Sequence, residues 1–160
     1  MMSFVRTLVL ALGCISFIVV IGGAVYEHLA VVPVWASAAP ASLAMFQGEY
    51  PLAAARFWIP IHPITLTLLV AALVLNWRTG RRGNILIGLA GYIIVLVITS
   101  LYFVPELMAI TGSAYSPTVD AELTQRAKTW ESLSLLRLGF MILMAIVLLF
   151  GLSRHADRDH

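Results

Sequence analysis

Four long apolar stretches separated by polar connections set the pattern of this chain: Leu8–Ala30, Ile61–Leu75, Ile85–Val104 and Leu133–Leu152. An α-helix needs about 20 apolar residues to cross a hydrocarbon core of about 30 Å. A transmembrane β-barrel would show alternating segments of about ten residues, and these runs do not alternate. The pattern predicts an all-α fold, a four-helix transmembrane bundle forming a single integral membrane domain over 1–160. The expected helices run over about 4–33, 60–77, 84–106 and 117–153, because backbone polar groups in lipid must be satisfied within each span. Ser116–Pro117, with Asp120 and Glu122 in the next turn, reads as the start of the fourth helix. The connection Val34–Phe57 reads as a short amphipathic helix on the interface, anchored by Phe46, Tyr50, Phe57 and Trp58.

Composition agrees, at 61% hydrophobic and 11% charged residues with a mean hydropathy of +0.95. Arg6 ahead of an apolar run has the outline of a secretory signal, but the run outlasts a signal core and is read as a span. Cys14 is the one cysteine, which allows no internal disulfide and reads as buried filler. Positive charge gathers near the two ends, at Arg6, Arg154 and Arg158, and in the middle turn, at Arg78, Arg81 and Arg82. By the positive-inside rule both termini are cytoplasmic. The expected location is a multi-pass protein of a bacterial inner membrane. The net charge of +2 suits anionic headgroups, and no nucleic-acid partner is expected.

In this orientation the ionisable groups of all four helices rise toward the non-cytoplasmic side. Counted from the cytoplasmic arginines Arg6, Arg78, Arg82 and Arg154 at 1.5 Å per residue, Glu27, Glu106 and Glu131 lie roughly 32 to 36 Å up, and His62 and Arg137 roughly 24 to 26 Å. Helical spacing places Glu106, Tyr102, Thr99, Val95, Tyr92 and Gly88 on one stripe of the third helix, and His62, Thr65, Leu69, Ala72 and Asn76 on one of the second. On the fourth, Arg137 shares a stripe with Arg126, Trp130 and Leu133, whereas Glu131 aligns with Ala127, Ser134 and Leu138. Glycines 13, 22, 23, 88 and 91 read as points of close helix approach.

Two readings of this layer stay open. In one, the charged groups sit at headgroup level and pair with each other, Arg137 with Glu106 or Glu131. In the other they line an outward-facing pocket, with His28, His62, Glu27 and Glu106 as ligands for a transition metal, Cu, Fe, Mn or Zn. The Glu-x-x-His pair of di-iron bundles is missing. Heme is an alternative, with His28 and His62 as axial ligands and Arg56 or Arg137 near a propionate. His155 and His160 belong to the charged tail. Phosphate-binding loops, nucleophile elbows and zinc-protease motifs are absent from the sequence.

The segments "TSLYFVPELMAITG" and "AKTWESLSLLRLGF" resemble the anthrone-oxygenase-like family of small four-helix membrane proteins. The matching positions are Thr99, Pro105 and Glu106 on the third helix and Trp130 and Arg137 on the fourth, with Glu106 and Ser134 where the family usually has Asn. The resemblance implies oxygenation of a hydrophobic small molecule that enters from lipid. Glu106, Arg137 and Glu131 are then the candidate catalytic residues, Glu106 as base toward an acidic C–H or phenol and Arg137 stabilising the anion. That route needs no cofactor, whereas a metal on His28 and His62 is the other route to oxygen chemistry. The alternative reading is a non-enzymatic accessory subunit or small carrier, with a homo-oligomer or a larger membrane complex as partner.

Overall fold

The structure, a computed structural model, describes residues 1–154, so His155, Arg158 and His160 lie outside the described residues. Helix α1 (Met2–Tyr26) passes through a π-helical turn, Glu27–Val31, into α2 (Val32–Trp35). A 3₁₀ turn, Ala41–Phe46, precedes α3 (Ala55–Leu75) and α4 (Arg82–Ile98). A second π-helical turn, Thr99–Phe103, then leads into α5 (Val104–Thr111), and α6 (Ala121–Ser153) follows. The stretches Met2–Trp35, Ala55–Leu75, Arg82–Thr111 and Ala121–Ser153 are each long and apolar enough to cross a membrane. The all-α class with four apolar spans is therefore as the hydropathy pattern predicts. The outward faces carry Val74, Leu136 and Phe150, which are 67%, 73% and 62% exposed, a surface that suits acyl chains and would aggregate in water.

Two helix starts differ from expectation. Helix α6 begins at Ala121 because Asp120 is the stronger cap: its Oδ1 accepts the backbone N–H groups of Glu122 and Leu123 at 2.9 and 3.0 Å. Helix α3 reaches back to Ala55, so Phe57 and Trp58 are helical, and Pro60 and Pro63 fall in its early turns, where their missing N–H groups leave the carbonyls of the exposed Arg56 and Ile59 without a helical bond.

The chain divides into two units. The first comprises Met1–Gly22, Ala55–Ile94 and the chain from Phe140 onward. Leu10, Cys14 and Phe17 of α1, Leu69 and Ala72 of α3, Ile85, Leu89 and Tyr92 of α4, and Met141 and Leu148 of α6 make its core. Helices α4 and α6 approach closely at Gly88 and Gly91, where an added Cβ would lie 2.5 Å from Leu148 Cγ and 2.5 Å from Met144 Sδ. Gly22 faces open space instead. The α3 stripe is buried as expected, with Thr65, Leu69, Ala72 and Asn76 each at 0% exposure. Polar groups here are tied to one another. Ser16 and Thr65 hydroxyls meet at 2.7 Å, and Asn76 Nδ2 donates to the Ala72 carbonyl at 2.9 Å. Arg81, one of the arginines of the middle turn, is 5% exposed, and its Nε, Nη1 and Nη2 donate to the Arg154 carbonyl, Thr7 Oγ1 and the Leu152 carbonyl. It thereby neutralises the partial negative charge at the C-terminal end of α6.

The second unit comprises Gly23–Ala54 and Val95–Gly139. Its core joins Val32, Trp35, Ala36, Ala39, Leu43, Phe103, Ile110, Ala127 and Trp130. The connection expected to float on the interface is anchored here. Leu43 is fully buried, Phe46 packs edge-on against Trp35, and the Ala39 carbonyl accepts both the Asp120 N–H and Thr124 Oγ1.

Candidate functional site

Both π-helical turns of the second unit have the same sequence cause. The Val32 N–H donates to the Glu27 carbonyl and the Val104 N–H to the Thr99 carbonyl, each spanning five residues rather than four. Each of these valines precedes a proline, Pro33 or Pro105, which has no N–H and whose ring crowds the carbonyl four residues back. The turn widens to keep its bonds. The extra residue also advances the inward face by one position. An α-helical stripe would run from Val95 through Thr99 to Tyr102 and Glu106; instead Phe103 and Ile110 are buried, Leu107 packs beside them, and Tyr102 is 39% exposed. In soluble and membrane proteins alike, single π turns inside α-helices concentrate at functional sites.

The side chains that these turns bring inward form one cluster. Arg137 Nη1 donates to Thr99 Oγ1 at 2.9 Å and Nη2 to Ser134 Oγ at 2.8 Å, and its guanidinium carbon lies 4.1 Å from the Phe103 ring centroid. Two charge-assisted hydrogen bonds and a cation–π contact, each worth about 1–3 kcal/mol, fix the guanidinium in place. Its Nε is buried without a hydrogen-bond partner among the described residues.

His28 occupies the same aromatic cluster. Its Nδ1 is 2.8 Å from the Ala24 carbonyl oxygen. A carbonyl only accepts, so Nδ1 carries a proton, and in the neutral form of the ring the lone pair is at Nε2. That Nε2 is also buried without a partner among the described residues, in a side chain only 9% exposed. The imidazole lies parallel to Trp130, at 6.5 Å between centroids and 7° between planes. Trp130 donates Nε1–H to the Phe103 carbonyl at 2.9 Å and packs edge-on against Trp35 and Phe103. A lone-pair acceptor and a cationic donor, both unfilled, thus share one wall of aromatic rings. Buried polar atoms are paired in the great majority of native structures, and leaving one unpaired costs about 1–3 kcal/mol.

The remaining sequence candidates fall elsewhere. Glu106 is turned off the inward stripe and held by Arg126, with Nε to Oε1 at 2.9 Å and Nη2 to Oε2 at 3.0 Å. Arg126 is 43% exposed, so the carboxylate is engaged at the surface and the pairing with Arg137 does not form. The hydrogen bond and the positive charge of Arg126 occupy both Glu106 oxygens. Glu131 is half-buried on the flank of α6. His62 belongs to the first unit, where its Nδ1 is 2.7 Å from the Tyr92 hydroxyl and its ring stacks on Trp58 at 5.5 Å. Arg56 is exposed.

A metal does not fit these residues. Among the described residues no group of three or more His, Cys, Asp and Glu side chains could hold an ion. Of the four expected ligands, Glu106 is bound to Arg126 and His62 to Tyr92.

Comparison with protein-family models, with curated proteins and with solved structures finds no match. The cluster therefore has to be read from its own chemistry. Sequence reasoning named Thr99, Trp130, Ser134 and Arg137 but missed Phe103 and Trp35. The signal was available in the chain, where Glu27 and Thr99 each stand five residues before a Val-Pro pair.

Proposed function

We propose that the chain is a membrane-embedded oxidoreductase of oxygenase type that acts on a hydrophobic small molecule at the His28–Arg137 cluster. One observation carries the reading: an imidazole with a buried, unpartnered Nε2 and a guanidinium with an unfilled Nε both pack on the same pair of touching rings, Trp130 and Phe103, in the second unit. His28 Nε2 takes a proton from an acidic C–H or a phenol O–H of the bound molecule. The Arg137 Nε–H donates to the oxygen on which the resulting negative charge rests. The base role expected for Glu106 passes to His28, because Arg126 engages both oxygens of that carboxylate.

The electron-rich anion then reduces dioxygen. A methylene group becomes a carbonyl, one oxygen atom of O₂ enters the product and the other leaves as water. The substrate carbon gives up four electrons, O₂ accepts four, and the two methylene hydrogens end in the water. The resemblance to anthrone-oxygenase-like proteins supports the same chemistry through Thr99, Trp130 and Arg137. In this reading the protein lies in a bacterial inner membrane with the cluster toward the non-cytoplasmic face, as the arginines Arg6, Arg78 and Arg82 imply.

The test uses the purified full chain in lipid nanodiscs and a CH-acidic polycyclic ketone, with oxygen uptake and carbonyl product both measured. Equal consumption of O₂ and substrate is expected. His28→Phe, which keeps the ring on Trp130 and removes the base, should lower turnover about 10²-fold or more. No uptake by the wild type, or full uptake by His28→Phe, would contradict the reading.

A further inference from the structure

The carboxylates of the described residues, Glu27, Glu49, Glu106, Asp120, Glu122 and Glu131, all belong to the second unit. The first unit holds Arg6, Arg56, Arg78, Arg81, Arg82 and Arg154, with no carboxylate among its described residues. Most of these arginines meet at the turn between α3 and α4, whose residues alternate in direction. Asn76, Thr79 and Arg81 are buried and bonded inward: Asn76 Nδ2 to the Ala72 carbonyl, Thr79 Oγ1 to the Asn76 carbonyl at 3.0 Å, and Arg81 to the end of α6. From α6, Arg154 Nη1 donates to the Gly80 carbonyl at 3.3 Å. The turn is thereby pinned, and Trp77, Arg78 and Arg82 are held outward from a fixed backbone. Trp77 is 50% exposed, and the Arg82 guanidinium carbon lies over its ring, 5.6 Å from the centroid. Neither Arg78 nor Arg82 has a carboxylate partner among the described residues. The surface beside Arg82 is open, since a Cβ at Gly83 would meet nothing within 4 Å.

We propose that this turn binds the headgroup of an anionic phospholipid, with Arg78 and Arg82 on the phosphate oxygens and Trp77 as the platform that holds Arg82 in place. Planar guanidinium groups match pairs of phosphate oxygens and stack on aromatic faces, and an indole at the end of an apolar span sits at headgroup depth. Val74, one turn before Trp77, and Leu86, one turn after Arg82 on the same face of α4, are exposed and apolar, so an acyl chain has a surface to follow from the phosphate. A free phosphate would use the arginines alone. A zwitterionic lipid brings its own cation to the same arginines, whereas an anionic one supplies the counter-charge that the first unit lacks. The proposal stands independently of the chemistry at His28 and Arg137.

The experiment is native mass spectrometry of the full chain in detergent, titrated with phosphatidylglycerol or with phosphatidylcholine of the same acyl chains. The wild type should retain phosphatidylglycerol at least about tenfold more tightly than phosphatidylcholine, as two arginines at an anionic headgroup imply. Arg82→Gln should weaken that binding about fivefold. Trp77→Leu keeps every charge and should weaken it about threefold through loss of the stacked platform. Arg56→Gln, exposed at the other end of α3, should leave it unchanged. Equal retention of the two lipids by the wild type, an unchanged affinity in Arg82→Gln or Trp77→Leu, or a loss in Arg56→Gln equal to that in Arg82→Gln would overturn the proposal. Displacement of the lipid by inorganic phosphate at the same concentration would assign the patch to a free anion and overturn it as well.

Discussion

Arg81, buried in the first unit, and Arg137, half-buried in the second, are used in opposite ways. Arg81 of the first unit commits Nε, Nη1 and Nη2 to acceptors, two of them carbonyls near the end of α6. Arg137 of the second commits Nη1 and Nη2 and leaves Nε unfilled. The imidazoles continue the contrast. His62 Nδ1 has the Tyr92 hydroxyl, while His28 has used Nδ1 on Ala24 and keeps a bare Nε2. Polarity inside a membrane span is thus not in itself the mark of a site. What marks one is hydrogen-bonding capacity left over after the fold has been satisfied.

The largest effects should separate the two arginines. Arg81→Leu strands carbonyls of the α6 terminus and is expected to destabilise the protein by about 3–5 kcal/mol, measured by denaturant unfolding in mixed micelles. Arg137→Leu replaces a costly buried cation with an apolar group of similar length. Stability should move by less than about 1 kcal/mol while turnover falls about 10²–10³-fold. Comparable loss of stability in both variants would dissolve the contrast.

Next come two backbone positions. Gly88→Ala pushes a methyl into Leu148 in the first unit, and overpacking of this kind should cost about 1–3 kcal/mol without changing substrate affinity. Pro105→Ala in the second unit restores an N–H and removes the reason for the π turn at Thr99–Phe103. Turnover should fall on the order of tenfold through misplacement of Thr99 and Phe103, with stability little changed. The smallest effect belongs to Tyr92→Phe, which removes the hydroxyl bonded to His62 and should cost about 1 kcal/mol, again by unfolding, with turnover unchanged.

The spans and the α3 face were legible because an apolar run and a period of 3.6 residues are local properties of the chain. Thr65, Leu69, Ala72 and Asn76 are all fully buried, as their spacing implies. The same periodicity misdirected Glu106. Extrapolated through Pro105 it aimed the carboxylate inward, where one extra residue in the π turn aims Phe103 instead and leaves Glu106 to Arg126. Arg81 was legible as a cytoplasmic arginine in a turn, but not the carbonyls of a helix distant in sequence that surround it. Which polar groups have partners is a long-range property, and the unfilled nitrogens of His28 and Arg137 could not be recognised before those of Arg81 were seen to be filled.

The most direct measurement is ¹⁵N magnetic resonance of ring-labelled histidine in the full chain in nanodiscs, with the His28 signals assigned by their loss in His28→Phe. Without ligand, Nδ1 should be protonated and Nε2 should give the signal of a bare lone pair; saturating 1-naphthol should convert Nε2 to a protonated nitrogen. A His28 already protonated on Nε2 in the free protein, or an Nε2 signal that naphthol leaves in place, would contradict the account.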